Sequence, residues 1–220
     1  MDHRVYSQFK KLFLYGGIAG VLSVISYLCI ITVSLNPALT FVGVMLFSIL
    51  GIISWYALHI LLKGDMDDHL SVIGFYMGAL AFLVLAVFLA AQIAIQAGFE
   101  DSFIKELSVD PNTSRLVQRA VRLIDMGLDV VWDMFIGTSF LCYAIVMRRH
   151  PYFGWIWTLP FGLLAILLIV LNAATFPWPP SEMGLFDVGP FCGLFMIAIH
   201  VRMIGIAIRM NKRSAPEADH

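Results

Sequence analysis

Three aspartates, Asp125, Asp129 and Asp133, recur at every fourth position of "RLIDMGLDVVWD", residues 122–133, in a stretch otherwise apolar enough to cross a bilayer. Spacing of four aligns them on one helix face, and Arg115, Gln118 and Arg122 extend the same stripe toward the N-terminus. Carboxylates are costly in hydrocarbon, so a chain that carries them there uses them for an ion or ligand path, a proton relay, or a polar network between helices. Two chemistries suit the pattern. The carboxylates can balance a cationic or polar ligand, or Asp129 and Asp133 can act as an acid and base pair on a substrate at the membrane surface.

Depth counting supplies partners for the stripe. The third apolar segment carries Gln92 and Gln96 one turn apart near its outer end, the fifth ends in "VLNAATFPWPP" with Asn172, and the sixth begins "GLFDVGP" with Asp187. With Trp132 and Arg122 on the fourth, these residues form the expected ligand-binding set. The competing expectation is a structural network, with Arg119 or Arg122 paired along the helix to Asp125 or Asp129 and the amides bonded across helices.

The elements that must position these groups are transmembrane helices. The 220 residues are 60% hydrophobic and 13% charged, with a mean hydropathy of +0.87, whereas soluble domains are roughly a quarter charged. A net charge of −1 without a Lys/Arg-rich block removes nucleic acid as a partner. A span needs about 20 apolar residues, and six segments qualify, at about 13–34, 38–62, 71–98, 126–147, 153–175 and 184–208. The expected fold is therefore all-α, a single six-helix integral membrane bundle embedded in lipid, followed by a flexible tail over 209–220. The N-terminal run is too long for a signal h-region and lacks a small-residue cleavage site, so it stays as the first span.

Basic residues set the orientation. With the N-terminus inside, the inner segments hold Arg4, Lys10, Lys11, Lys63, Arg148, Arg149, Arg209, Lys212 and Arg213, and the outer ones Lys105, Arg115, Arg119 and Arg122. Nine against four places both termini in the cytoplasm; Arg202, inside the last span, can snorkel inward. In the outer connection "DSFIKEL" has the spacing of an interfacial helix, and "DPNTS" offers Asp110 as an N-cap with Pro111 at the first helical position. No proline follows before Arg148, so the fourth helix is expected to run about 55 Å and to project beyond the bilayer, with Gly127 the place for any break. "NTS" at 112–114 is formally a glycosylation acceptor.

Other motifs read as structure. His59 and His200 invite a two-histidine haem, but at 1.5 Å per residue they lie about 30 Å and about 22 to 24 Å below the outer ends, a poor match for two axial ligands. His200 reads instead as a satisfied core histidine near Tyr27 or Tyr143, and His59 as an inner-interface residue near Lys63; no cofactor and no metal is expected. "KGDMDDHL", with Asp65, Asp67, Asp68 and His69, lacks the length and terminal glutamate of an EF-hand and reads as a solvated turn. Cys29, Cys142 and Cys192 read as small core residues. "GGIAG" at 16–20 and "GPFCG" at 189–193 have small-xxx-small spacing for close helix packing, within the chain or with another subunit. "TFPWPPSEMGLFDVGP", with four prolines, reads as a rigid, non-helical hydrophobic cap, either a lid over the polar residues or an interfacial anchor. Walker A, GxGxxG, HExxH and GxSxG motifs do not occur.

The stretch "DVVWDMFIGTSFLCYAIVMRRHPYFGWIWTLPFGLLAILLIVLNAATFPWPP", with the following "GLFDVGPFCGLF", resembles bacterial inner-membrane proteins grouped as a domain of unknown function. The resemblance covers the C-terminal half and rests on a helix, a short basic turn with "FG", and a second helix. It implies a bacterial cytoplasmic membrane location and a bundle of six or seven helices; the family has no assigned reaction, so no functional residue is carried over. The function expected from the residues is a multi-pass protein with an outward-facing acidic cavity for a small polar or cationic ligand, in transport or sensing. The alternatives are an enzyme acting on a lipid headgroup and a non-catalytic accessory or assembly protein.

Overall fold

The computed structural model describes residues 3–63, 69–100 and 110–213, and among these the chain is helical with no strand. Six long helices follow in order: α1 His3–Thr32, α2 Pro37–Lys63, α3 His69–Glu100, α4 Pro111–Met147, α5 Trp155–Thr175 and α6 Gly189–Arg213. Each contains a segment long and apolar enough to cross a membrane, from the 21 residues of Trp155–Thr175 to the 33 of Arg115–Met147. Side chains such as Leu22, Ile49, Val87, Leu163 and Val201 stand exposed on the outer surface, which suits a bundle whose solvent is lipid. The protein is a multi-pass helical membrane protein.

Local sequence sets the ends. Asn36 Oδ1 accepts from the Leu39 amide at 2.9 Å, with Pro37 opening α2. Asp110 caps α4 as expected: its carboxylate accepts from the Asn112 amide at 2.8 Å, the Thr113 amide at 3.4 Å and the Thr113 hydroxyl. The Thr113 hydroxyl and then the Asn112 amide hold that carboxyl below its usual range. With no proline to interrupt it, α4 runs unbroken for 37 residues through Gly127. Two boundaries differ from expectation. The last helix starts at Gly189, because residues 176–188 are taken up by the connection, and it continues through Arg213, so 209–213 are helix. That connection also contains a helical turn, the 3-10 element Pro180–Met183, closed by Gly184 at φ 72°, a left-handed conformation suited to glycine. The readings made for 64–68, for "DSFIKEL" and for 214–220 lie outside the described residues.

Each helix packs on its predecessor from α1 to α5, and α6 packs on α1, giving a curled strip whose ends are α5 and α6. The backbones of those two approach at few points, and aromatic side chains close the gap: Phe195 lies 5.8 Å from Phe161 and 6.0 Å from Trp157. At the centre, Trp55 of α2 meets Phe82 of α3, Phe140 and Tyr143 of α4 and His200 of α6 at ring separations of 5.7 to 5.9 Å.

The "GGIAG" stripe packs closely inside the chain. A Cβ at Gly16 would strike Ala57, one at Gly17 would meet Ile204, and one at Gly20 would strike the His200 ring and Ser54 Oγ. "GPFCG" does not behave alike, since nothing lies within 4 Å of a Cβ at Gly193. Cys142 and Cys192 are buried as expected, but Cys29 is exposed, at no penalty beside lipid. His200 is 1% exposed, yet neither ring nitrogen has a hydrogen-bond partner. It approaches the Met196 carbonyl one turn earlier without completing a bond to it. The expected pairing with a tyrosine fails because the Tyr143 hydroxyl is turned to the Trp55 carbonyl at 3.3 Å. His59 is buried and bonded to Ser71 Oγ at 2.7 Å.

Candidate functional site

The acidic stripe of α4 divides by depth. Asp125 is half-buried, and the Gln92 side chain of α3 approaches its carboxyl. One turn further in, Asp129 is half-buried and lies within electrostatic reach of Asp187. Asp133, one more turn in, is buried at 8% exposure and lies among Asp129, Asp187 and the Asn172 side chain of α5. Fourth-position spacing along one helix produces this sequence of environments, because each step carries the next carboxylate about 6 Å deeper on the same face.

Asn172 is 1% exposed, and its amide Nδ2 donates to the Leu168 carbonyl at 2.9 Å, which fixes which end of the side chain is the oxygen. That oxygen, Asn172 Oδ1, has no hydrogen-bond partner, and neither does Asp133 Oδ1. Two adjacent buried side chains therefore each hold an acceptor without a donor. Buried polar atoms are ordinarily paired, and an unpaired one costs the desolvation of that group.

Asp187 is the least buried of the set. Its Oδ1 accepts from the Gly189 amide at 2.9 Å and so starts α6, while its charge remains within range of Asp129 and Asp133. Two residues that sequence reasoning did not assign complete the group. Tyr27 of α1 lies within electrostatic reach of Asp129, Asp187 and Asp133, with its ring 5.3 Å from Phe47. Cys192, one turn into α6, lies within electrostatic reach of Asp133 and Asp187. The depth rule that selected Asn172 could have found Tyr27, since it stands near the end of α1 that joins this layer.

The remaining members take other places. Arg122 does not pair with the stripe; its guanidinium is exposed and reaches Glu182 of the 3-10 turn at 2.8 Å, because that carboxylate stands over the start of the stripe. The link ties α4 to the connection between α5 and α6. Trp132 packs partly against the core, and its buried Nε1 has no partner. Gln96 lies on α3, one turn beyond Gln92. Among the described residues no Lys or Arg forms an ion pair with Asp129, Asp133 or Asp187, and no three His, Cys, Asp or Glu residues are placed to hold a metal ion.

The fold and this layer define a six-helix membrane protein with an acidic, incompletely hydrogen-bonded cluster at one end of its bundle. Comparisons with protein-family models, curated proteins and solved structures find no match, so the geometry alone carries the functional reading.

Proposed function

We propose that this membrane protein binds a small cationic or polar ligand at the cluster of Asp129, Asp133, Asp187 and Asn172, in transport or sensing. The observation that carries the reading is the pair of buried, unpartnered acceptors, Asp133 Oδ1 and Asn172 Oδ1, inside a group of three carboxylates with no basic partner among the described residues. A purely structural network would spend its donors on its acceptors, and here Arg122, the arginine on the same stripe, is committed to Glu182. The proposal includes a bacterial cytoplasmic membrane location with both termini inside. That orientation directs the cluster outward, beneath the connection of residues 176–188.

The test is thermal melting of the purified protein in detergent with a panel of cations at constant ionic strength. A ligand bound at a hundred times its Kd stabilises by about 2.7 kcal/mol, so at least one cation should raise the melting temperature, and Asp133→Asn should abolish the gain. A cation-independent melting temperature together with a silent Asp133→Asn variant overturns the reading and leaves Asp133 protonated against Asn172 as a structural pair.

A further inference from the structure

We infer that the ligand of this cluster is a protonated amine recognised through its N–H groups, with Asp133 Oδ1 and Asn172 Oδ1 as the acceptors that select it. The inference rests on the ligand-binding reading above and names the chemical class.

Three observations converge on it. First, both groups accept hydrogen bonds: Asp133 Oδ1 and Asn172 Oδ1 are shut away from solvent, and neither has a donor. Flipping the Asn172 amide would not repair this, because its Nδ2 is already bonded to the Leu168 carbonyl at 2.9 Å. With Asp133 ionised, a visitor that pairs both oxygens supplies at least two N–H or O–H bonds in different directions. An ammonium head carries up to four and no competing acceptor, whereas a neutral hydroxyl brings one donor and leaves the carboxylates unbalanced.

Second, among the described residues the charge of the cluster has no basic counterpart. Asp129 and Asp187 lie within electrostatic reach of Asp133, and no described Lys or Arg forms an ion pair with any of the three. A charged visitor with N–H bonds gains both the Coulombic attraction and charge-assisted hydrogen bonds, the stronger class.

Third, the donor set is wrong for a metal ion. Among the described residues no three carboxylate, thiol or imidazole groups are arranged to ligate one. Calcium and magnesium need six or more oxygens around them, whereas the cluster spreads its acids along α4 and the start of α6. Tyr27, within electrostatic reach of all three acids, brings an aromatic side chain to the same layer.

The experiment is a cation series on the purified full-length protein in detergent, comparing methylammonium and ammonium with tetramethylammonium, sodium and magnesium at one ionic strength. Methylammonium and tetramethylammonium share a charge but differ in having or lacking N–H bonds. Leaving buried acceptors unpaired weakens binding by roughly tenfold or more. Methylammonium should therefore give its half-maximal rise in melting temperature at no more than about a tenth of the tetramethylammonium concentration. In Asn172→Leu that preference should shrink while a residual response to both organic cations persists. Should Asn172→Leu fail to fold, the series on the parent protein decides alone. Equal responses to methylammonium and tetramethylammonium would overturn N–H recognition and leave a cation site standing, as would a response to sodium or magnesium only. No response to any cation would instead remove the ligand site itself.

Discussion

The indole Nε1 of Trp55 donates to the Ser139 hydroxyl at 2.7 Å, and that hydroxyl donates onward to the Gly74 carbonyl at 2.5 Å. One serine thus connects α2, α4 and α3 at the centre of the bundle, where Trp55 and Ser139 are both fully buried. Ser139→Ala leaves the indole N–H without an acceptor and should cost about 1–3 kcal/mol. In a Trp55→Phe background the same change should cost less, because no donor remains to be orphaned. A double-mutant cycle measured by chemical denaturation in detergent checks it; equal costs in both backgrounds would count against the link.

Alanine substitutions should divide the glycines by what their missing Cβ would meet. At Gly20 it would strike the His200 ring and Ser54 Oγ, at Gly51 the Phe82 ring, and at Gly78 the Trp55 indole. Each of these changes should destabilise by about 1–3 kcal/mol through overpacking. Gly193→Ala meets nothing within 4 Å inside its helix and should be neutral or stabilising by up to about 1 kcal/mol. Melting temperatures of the four variants test the ordering.

His150, in the turn between α4 and α5, gives a pH dependence of known sign. Its Nε2 donates to the Leu61 carbonyl at 3.0 Å, which leaves Nδ1 to accept from the Tyr152 amide at 3.4 Å, so the ring fits its site in the neutral form. Burial pushes it down from 6.5 to about 4. The unfolded chain then binds more protons between those values, and stability should be fully present above pH 6.5 and fall as pH drops toward 4. The loss attributable to this group is at most about 3 kcal/mol. His150→Gln, melted at pH 7 and pH 5, should show a smaller difference than the parent; an unchanged difference would place the acid sensitivity elsewhere.

The orientation proposed from basic-residue distribution is open to labelling. In a variant lacking native cysteines, of which Cys29 is exposed, single cysteines at positions 102 and 214 should differ. An impermeant thiol reagent added to intact cells should label position 102 only. Labelling at 214 would invert the topology and turn the acidic cluster to the other side.

What the sequence disclosed followed from axial arithmetic. Helical rise is fixed, so counting inward from the loops put Asn172 at the depth of Asp133, and the Asp110–Pro111 pair marked the start of α4. Rotation about each axis was less accessible. In a soluble protein the polar face of a helix reveals its azimuth, but α2 and α3 are apolar all round because lipid and core accept the same residues. That is why the sequence places Cys29 in a span and yet not on its outer surface, and why it leaves Tyr27 and Tyr143 as equal neighbours for His200 although Tyr27 lies within electrostatic reach of the carboxylates. The pairing of Arg122 is hidden for a different reason: its partner Glu182 is 60 residues away, in a connection whose path no periodicity reports.

The curled strip also prescribes an order of assembly. Helices α2 to α5 each dock on the one inserted just before, so every new span finds its main partner already waiting at the edge and none needs to thread between two neighbours. Only α6 must reach back across the sequence to α1, and its docking is the one loop closure of long range, the step that entropy makes slowest. Until it docks, Gly17 and Gly20 of α1 lack the Ile204 and His200 they later receive. A nascent chain stopped before α6 would thus expose a glycine-lined furrow to lipid, and release of the final helix would be the event that zips it shut.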